Sequence, residues 1–167
     1  QAVNDNLIIY DEYGPTESTV GVFNSQVYPR YNLTIGKPYH NLKAYILNAN
    51  QQALPIGAIG ELYVGGAGLA RGYLNQADLT KERFIVNPFQ NEEEKADKRY
   101  GKDGRNTRLY KTGDLVRWLP DGNIEYIGRN DFQVRIRGYR IELGEIEDII
   151  QRHGDVLQVA VVIKENL

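Results

Sequence analysis

The sequence predicts an α+β fold rich in strands, on three observations. Short apolar runs with two-residue alternation recur from residue 7 to residue 141, divided by clusters of Gly, Pro, Asn and Asp. Helical spacing is confined to a short stretch at 79–84 and a longer one that begins near Glu142. Between the two regimes lies GRNDFQVRIRGYRIELGEIE, residues 128–147, where a turn, a hairpin and a helix start follow one another within twenty residues. That stretch reads as the joint between a β-rich body and a small α+β unit.

Residues 7–10, Leu-Ile-Ile-Tyr, form an apolar run that predicts a short buried strand, and DEYGPTE at 11–17 predicts a tight loop. Small and β-branched residues resume over 18–23. Strands are expected at 43–47 and 60–64, with turn chemistry at 48–50 and 55–57. The glycines at 66, 68 and 72 are spaced GxGxxxG, one residue too long for a dinucleotide fingerprint and with no βαβ pattern around them. Close backbone packing is their expected use. Residues 90–108 are dense in Glu, Lys, Asp and Arg, which predicts a long, solvated and mobile loop. Pro120-Asp121-Gly122-Asn123 between two alternating runs gives the clearest hairpin signal. Past the joint, 133–141 reads as two short strands around a Gly138 corner. A helix over 143–152 should end at Gly154 in a left-handed conformation, and 156–163 predicts a strand covered on both faces.

Bulk composition narrows the function classes. The chain has 167 residues, 41% of them hydrophobic, a net charge of −2 and a pI near 5.8. That balance gives no electrostatic reason to expect nucleic acid or an anionic membrane, and no apolar run is long enough to span a bilayer. With no cysteine and only His40 and His153, most thiol and metal-cage chemistry is excluded. The absence of cysteine also fits a reducing compartment, and a cytoplasmic location is expected. The missing methionine and a start in mid-pattern suggest a piece of a longer chain.

Two places carry candidate chemistry. The 11–17 loop clusters an aromatic ring, glycine-exposed backbone, a hydroxyl and a carboxylate. Those groups suit a nucleobase, a phosphate oxygen and a hard divalent cation, although a plain polar turn would use the same residues. Asp114 follows a Thr-Gly turn, where an outward carboxylate would suit a sugar diol. A turn aspartate bonding its own backbone is the commoner use of such a residue.

Four segments in one order, DEYGPTE, GELYVGGAGLARGYLN, YKTGDL and GRNDFQVRIRGYRIELGEIE, resemble successive signatures of adenylate-forming enzymes. The resemblance covers nearly the whole chain and points to the adenylation domain of nonribosomal peptide synthetases. It implies the end of a large core subdomain with a nucleotide-binding loop over 1–30 and a distorted β-barrel subdomain over 31–128. A hinge and a partial α+β lid would follow over 129–167. The implied activity is formation of an aminoacyl-adenylate from an amino acid and ATP, then transfer to the phosphopantetheine thiol of a peptidyl carrier protein domain. ATP and Mg²⁺ are the implied cofactors.

By the same resemblance Tyr13 stacks on adenine, with Asp11, Glu12 and Gly14 beside it. Thr16 bonds the α-phosphate and Glu17 helps hold Mg²⁺, which makes these two the catalytic pair. Asp114 accepts from the ribose hydroxyls, Tyr126 packs near the nucleoside and Arg129 reaches the ribose. Glu12, Val20 and Gly21 line the amino-acid pocket, with Glu12 favouring a polar or cationic side chain. Asp131 is the hinge and Gly138 faces the thiol channel. Asp11 departs from the family's usual Asn, and a carboxylate accepts from the adenine amine but offers no amide donor. The family's phosphate loop and pocket helix belong upstream, in an N-terminal core absent here, and its adenylation lysine belongs downstream. The isolated segment is therefore expected to have negligible adenylation activity. Alternatives are a D-alanyl carrier-protein ligase, an acyl-CoA synthetase, or a non-catalytic β-rich interaction module.

Overall fold

A computed structural model describes residues 7–27 and 34–164. The chain divides into two compact units, Gln1–Gly128 and Arg129–Leu167. In the first, β1 (Ile9–Tyr13) pairs antiparallel with β2 (Phe23–Val27), and β2 pairs with β3 (Lys37–Pro38). The larger sheet is built from β4 (Lys43–Leu47), β5 (Gly60–Gly65), β6 (Phe84–Val86), β7 (Arg108–Trp118) and β8 (Ile124–Arg129). Its order is β4-β5-β7-β6, with β8 also on β7. A bridge between Gly36 and Ile124 joins the two sheets.

The larger sheet is stable because alternation lets both of its faces be covered. Ile46 of β4, Leu62 and Val64 of β5 and Tyr110 of β7 enter one core with Val22, Phe23, Phe84 and Ile124. Their neighbours Leu47, Tyr63 and Leu109 point the other way and form a second core with Tyr45, Ile85 and Phe89. The class is the expected strand-rich α+β. The expected barrel does not close: among the described residues no ladder joins β4 back to β6 or β8. The expected hairpin at 120–123 is present, with Asp121 Oδ1 accepting from the Asn123 N–H at 2.9 Å and Gly122 at φ 81°.

The glycine-rich segment lets its backbone pack close against its neighbours, as its spacing suggested. A Cβ at Gly68 would lie 2.9 Å from the Ser18 carbonyl oxygen, and one at Gly72 would collide with Thr80. Two local expectations differ from the structure. Asp11, Glu12 and Tyr13 belong to β1 rather than to a loop, and residues 7–10 are exposed instead of buried. Pairing with β2 satisfies this backbone, while nothing among the described residues covers its apolar side chains.

The charged stretch 90–108 is held, not loose. A short helix, α1 (Ala77–Arg83), precedes β6, and Asn91 caps α2 (Glu92–Ala96) through a reciprocal capping box with Glu94. Glu94 is only 2% exposed and accepts from Asn106 Nδ2 at 2.7 Å, with Lys43 Nζ 3.1 Å away. Gln90 Nε2 donates to the carbonyls of Asp103 and Arg105 at 2.8 and 2.7 Å. Polar composition hid a network of side-chain hydrogen bonds and ion pairs that ties the stretch together.

In the second unit, β9 (Gln133–Ile136) and β10 (Tyr139–Glu142) form a hairpin whose two turn residues, Arg137 and Gly138, lie at φ 51° and 84°. Two positive φ values make a type I′ turn, which matches the strand twist. The helix α3 (Leu143–Gln151) follows. It does not end on a left-handed Gly154: Arg152 stays right-handed and the chain leaves through a turn in which His153 N–H bonds the Ile150 carbonyl at 3.1 Å. Residues 156–163 form no strand, and Leu157 and Val162 are exposed. The hairpin is the one sheet described in this unit, and it offers that run no ladder.

Candidate active site

The pairing of β5 with β7 shifts register between Glu61 and Tyr63: Glu61 faces Leu115, whereas Tyr63 faces Lys111. Two extra residues on β7 are accommodated there around Gly113, at φ 79°. Thr112 Oγ1 takes the place of a ladder donor, bonding the Leu62 carbonyl at 2.8 Å, and accepts from the Asp114 N–H at 3.0 Å. Gly113 N–H bonds Glu61 Oε1 at 3.0 Å. Such a bulge turns a side chain away from its regular direction. Here the side chain is Asp114, which is buried instead of pointing outward, and the Tyr13 hydroxyl donates to its Oδ2. Tyr13 and Asp114 are 101 positions apart in the chain, and the fold brings them into direct contact. The Tyr13 ring also meets Phe23 edge-on, with centroids 5.7 Å apart.

After Tyr13 the chain makes a compact loop. A 3-10 turn spans Thr16–Ser18, with Ser18 Oγ bonding the Pro15 carbonyl at 2.9 Å. Thr19 and Val20 follow at φ 60° and 66°, a left-handed pair of β-branched residues that is sterically costly. Gly14 is required beneath them, since any Cβ there would overlap the Val20 carbonyl oxygen. The loop is tied to the glycine-rich segment by Thr19 Oγ1 on the Gly68 carbonyl at 2.6 Å and by Ala70 N–H on the Glu17 carbonyl at 2.8 Å. Val22 N–H closes it onto the Tyr13 carbonyl at 2.8 Å.

Within this loop Thr16 is exposed and Glu17 is buried. The Tyr73 hydroxyl donates to Glu17 Oε1 at 2.6 Å and lies 3.5 Å from the Tyr110 hydroxyl. Burial, then the bond to Glu17, push the Tyr73 phenol well above its ordinary 10, so it remains a donor. Among the described residues no three acidic or histidine side chains gather as a metal cage. A magnesium carried on phosphates takes only one or two carboxylates from a protein, because that ion keeps water and phosphate oxygens as its other ligands.

Asp11 is exposed, opposite Ser25 on β2. Glu12 points to the opposite face of β1 from Tyr13 and accepts from the Tyr39 hydroxyl at 2.8 Å. Gly21 abuts this pair, and a Cβ there would collide with the Glu12 carboxylate. Val20 is 72% exposed. Tyr126, on β8, is 44% exposed. In the second unit Arg129 and Asp131 form a two-pronged pair, Nε to Oδ1 at 2.7 Å and Nη2 to Oδ2 at 2.6 Å. Asp131 Oδ1 also accepts from the Gln133 N–H at 3.2 Å, which stiffens the turn. Gly138 occupies the hairpin tip, where a Cβ would meet nothing within 4 Å, so only its backbone conformation favours glycine.

Comparison with known proteins decides the family. The family model described as AMP-binding enzyme matches residues 1–74. The chain is 51% identical over 164 residues to N-(5-amino-5-carboxypentanoyl)-L-cysteinyl-D-valine synthase of Penicillium rubens, covering 95% of this chain and 4% of that protein. It belongs to the adenylation domains of nonribosomal peptide synthetases. A solved nonribosomal peptide synthetase protein with adenylation and PCP domains superposes with a TM-score of 0.75 at 31% identity, over 96% of this chain and 31% of that one. A four-domain synthetase bound to AMP and glycine superposes with a TM-score of 0.62 at 35% identity, over 95% of this chain and 11% of that one. The chain thus spans a few per cent of the length of the synthetase matched by sequence.

Some contacts of this adenylation-domain segment lay outside the sequence reading. Tyr73 and Tyr39 hold Glu17 and Glu12, yet neither stands in a loop with an evident chemical signature. Tyr73 follows directly on the glycine-rich run, and that adjacency was the one available hint. Among the described residues no helix is long and apolar enough to cross a membrane.

Proposed function

We propose that this chain supplies part of the nucleotide site of an amino-acid-activating ligase. The observation that carries the reading is the contact of the Tyr13 hydroxyl with the Asp114 carboxylate, in the unit that also holds Thr16 and Glu17. A non-catalytic module has no need for a residue on a bulge to meet an aromatic ring 101 positions away. In this reading the Tyr13 ring carries the adenine, with Asp11, Glu12 and Gly14 at its edge, and Asp114 accepts from the ribose hydroxyls. Thr16, exposed on its turn, donates to the α-phosphate. Glu17 would hold Mg²⁺, which neutralises phosphate charge when bound. Tyr126 packs near the nucleoside and Arg129 reaches the ribose after its pairing with Asp131 opens.

The reaction is attack of an amino-acid carboxylate oxygen on the α-phosphorus of ATP, with the bond to pyrophosphate breaking. In a second step the phosphopantetheine thiol of a carrier domain takes the acyl group and AMP leaves. Glu12, Val20 and Gly21 border the amino-acid side chain. Asp131 serves as hinge, with Gly138 toward the thiol channel. The domain reading is a core end over 1–30, a β-rich subdomain over 31–128 and a lid over 129–167, in a cytoplasmic enzyme that supplies the remaining walls. Support comes from the adenylation and PCP domains of one structural relative and the AMP and glycine bound in another.

The test is amino-acid-dependent ATP–pyrophosphate exchange by the synthetase that carries this chain, with Asp114→Ala as the probe. A fall of about a hundredfold in kcat/KM for ATP is expected if a carboxylate bonding the ribose is lost. Unchanged exchange by a folded Asp114→Ala enzyme would overturn the reading.

A further inference from the structure

One segment grips both ends of Glu17. The Ala70 N–H holds its main-chain carbonyl at 2.8 Å, and three residues on the Tyr73 hydroxyl holds its side chain at 2.6 Å. Tyr73 is itself fixed from three sides. Its N–H bonds Thr80 Oγ1 at 2.9 Å, and Gly72, at φ 146°, allows the chain to pass close against Thr80. Its ring meets Phe84 edge-on at 5.7 Å. Arg108 secures the start of the segment by bonding the Arg71 and Ala70 carbonyls, each at 2.9 Å. Packing explains the ring, since phenylalanine would fill the same space. It does not explain a hydroxyl aimed at a carboxylate 56 positions away.

We propose that Tyr73 is a positioning residue for Glu17, orienting its carboxylate toward the metal-bearing phosphates of the nucleotide. This rests on the reading of Glu17 given above. The phenol leaves one carboxylate oxygen engaged in a fixed direction, so the orientation of the other follows from the geometry of the group. A lysine or arginine in the same place would cancel the charge that a cation is meant to find. A phenol orients the carboxylate and leaves its charge in place.

The experiment uses the synthetase carrying this chain, with Tyr73→Phe, Glu17→Gln and the double variant assayed by pyrophosphate exchange at varied Mg²⁺ and ATP. Tyr73→Phe is expected to lower kcat/KM for Mg-ATP about tenfold and to raise the Mg²⁺ needed for half-maximal rate. KM for the amino acid and the melting temperature should hold. The double variant should be no worse than Glu17→Gln alone, the signature of two residues acting through one interaction. Wild-type behaviour of Tyr73→Phe beside a crippled Glu17→Gln overturns the proposal and leaves the nucleotide site standing. A silent Glu17→Gln overturns both. If Tyr73→Phe loses activity only in step with its melting temperature, and equally toward both substrates, the hydroxyl is structural and the proposal fails.

Discussion

Glu17 and Glu94 are both buried carboxylates on short helical turns of the same unit, and they are satisfied in different ways. Glu94 takes its hydrogen bonds from its own neighbourhood, the capping asparagine and Asn106 twelve positions away, and has its charge met by Lys43 from β4. Glu17 is met by a phenol from 56 positions away, beside two β-branched residues in left-handed geometry. A group that only stabilises is cheapest to satisfy locally, with its charge cancelled. A group over-determined by distant contacts and flanked by backbone strain is being held in a chosen orientation, and strain of that kind concentrates at working sites.

The sharpest way to break the comparison is to neutralise each carboxylate in the synthetase that carries this chain. Glu17→Gln should cost about 10²–10³ in kcat for pyrophosphate exchange, the scale of losing one charge-stabilising group at a reacting phosphate. Its melting temperature should move little. Glu94→Ala should do the reverse, destabilising the fold by about 2–3 kcal/mol through the unpaired Asn106 and Lys43 groups it leaves. Exchange by the folded fraction should be unaffected. Denaturant melts beside exchange rates check both, and a Glu94 variant that keeps its stability while losing exchange would erase the distinction.

Val20 offers a smaller test of the strained side. Its left-handed backbone costs about 1–2 kcal/mol, and glycine adopts it freely at some expense in unfolded-state entropy. Because the side chain is exposed, little burial is lost. Val20→Gly should therefore gain about 0.5–1 kcal/mol of stability while altering the KM for the amino acid. A loss of stability would show that the loop bears no strain at this position.

The same contrast explains what could be read from the sequence. Apolar runs at 43–47, 60–64 and on either side of 120–123 exposed the large sheet, since a strand covered on two faces is apolar at successive positions. The hairpin at 120–123 and the turn at Gly138 were equally visible, because turn geometry selects its residues. The ordered motifs pointed to Tyr13, Glu17 and Asp114. Their partners were harder to see: Tyr73 is marked only by its place at the end of the glycine-rich motif and Tyr39 by nothing local, because their roles exist only once segments far apart in sequence meet. The bulge at Gly113 was misread as a turn that presents Asp114 outward. The charged stretch 90–108 was misjudged for the opposite reason. Composition reports solvation on average, and it missed an Asn-x-x-Glu cap that buries one of those charges.

Acid titration of the self-satisfied region gives the smallest predicted effect and a clean sign. Burial pushes the Glu94 carboxyl up, but bonds from Asn106, the Asn91 main chain and Lys43 outweigh it and leave the group below its ordinary 4.5. A depressed carboxyl contributes stability above the unfolded value, and that contribution disappears as the pH falls through the folded value. Asp97, held down first by Arg99 and further by Arg105, acts in the same direction. Hydrogen exchange across 91–105 should therefore stay slow from neutral pH to about 5 and quicken below the ordinary carboxylate range. The Arg105 N–H, which bonds the Glu94 carbonyl at 2.9 Å, is a direct reporter once rates are corrected for intrinsic pH dependence. The β5–β7 ladder should remain protected in the same samples. Equal loss of protection in both places would mean that the unit opens as a whole, and that Glu94 does not secure its region locally.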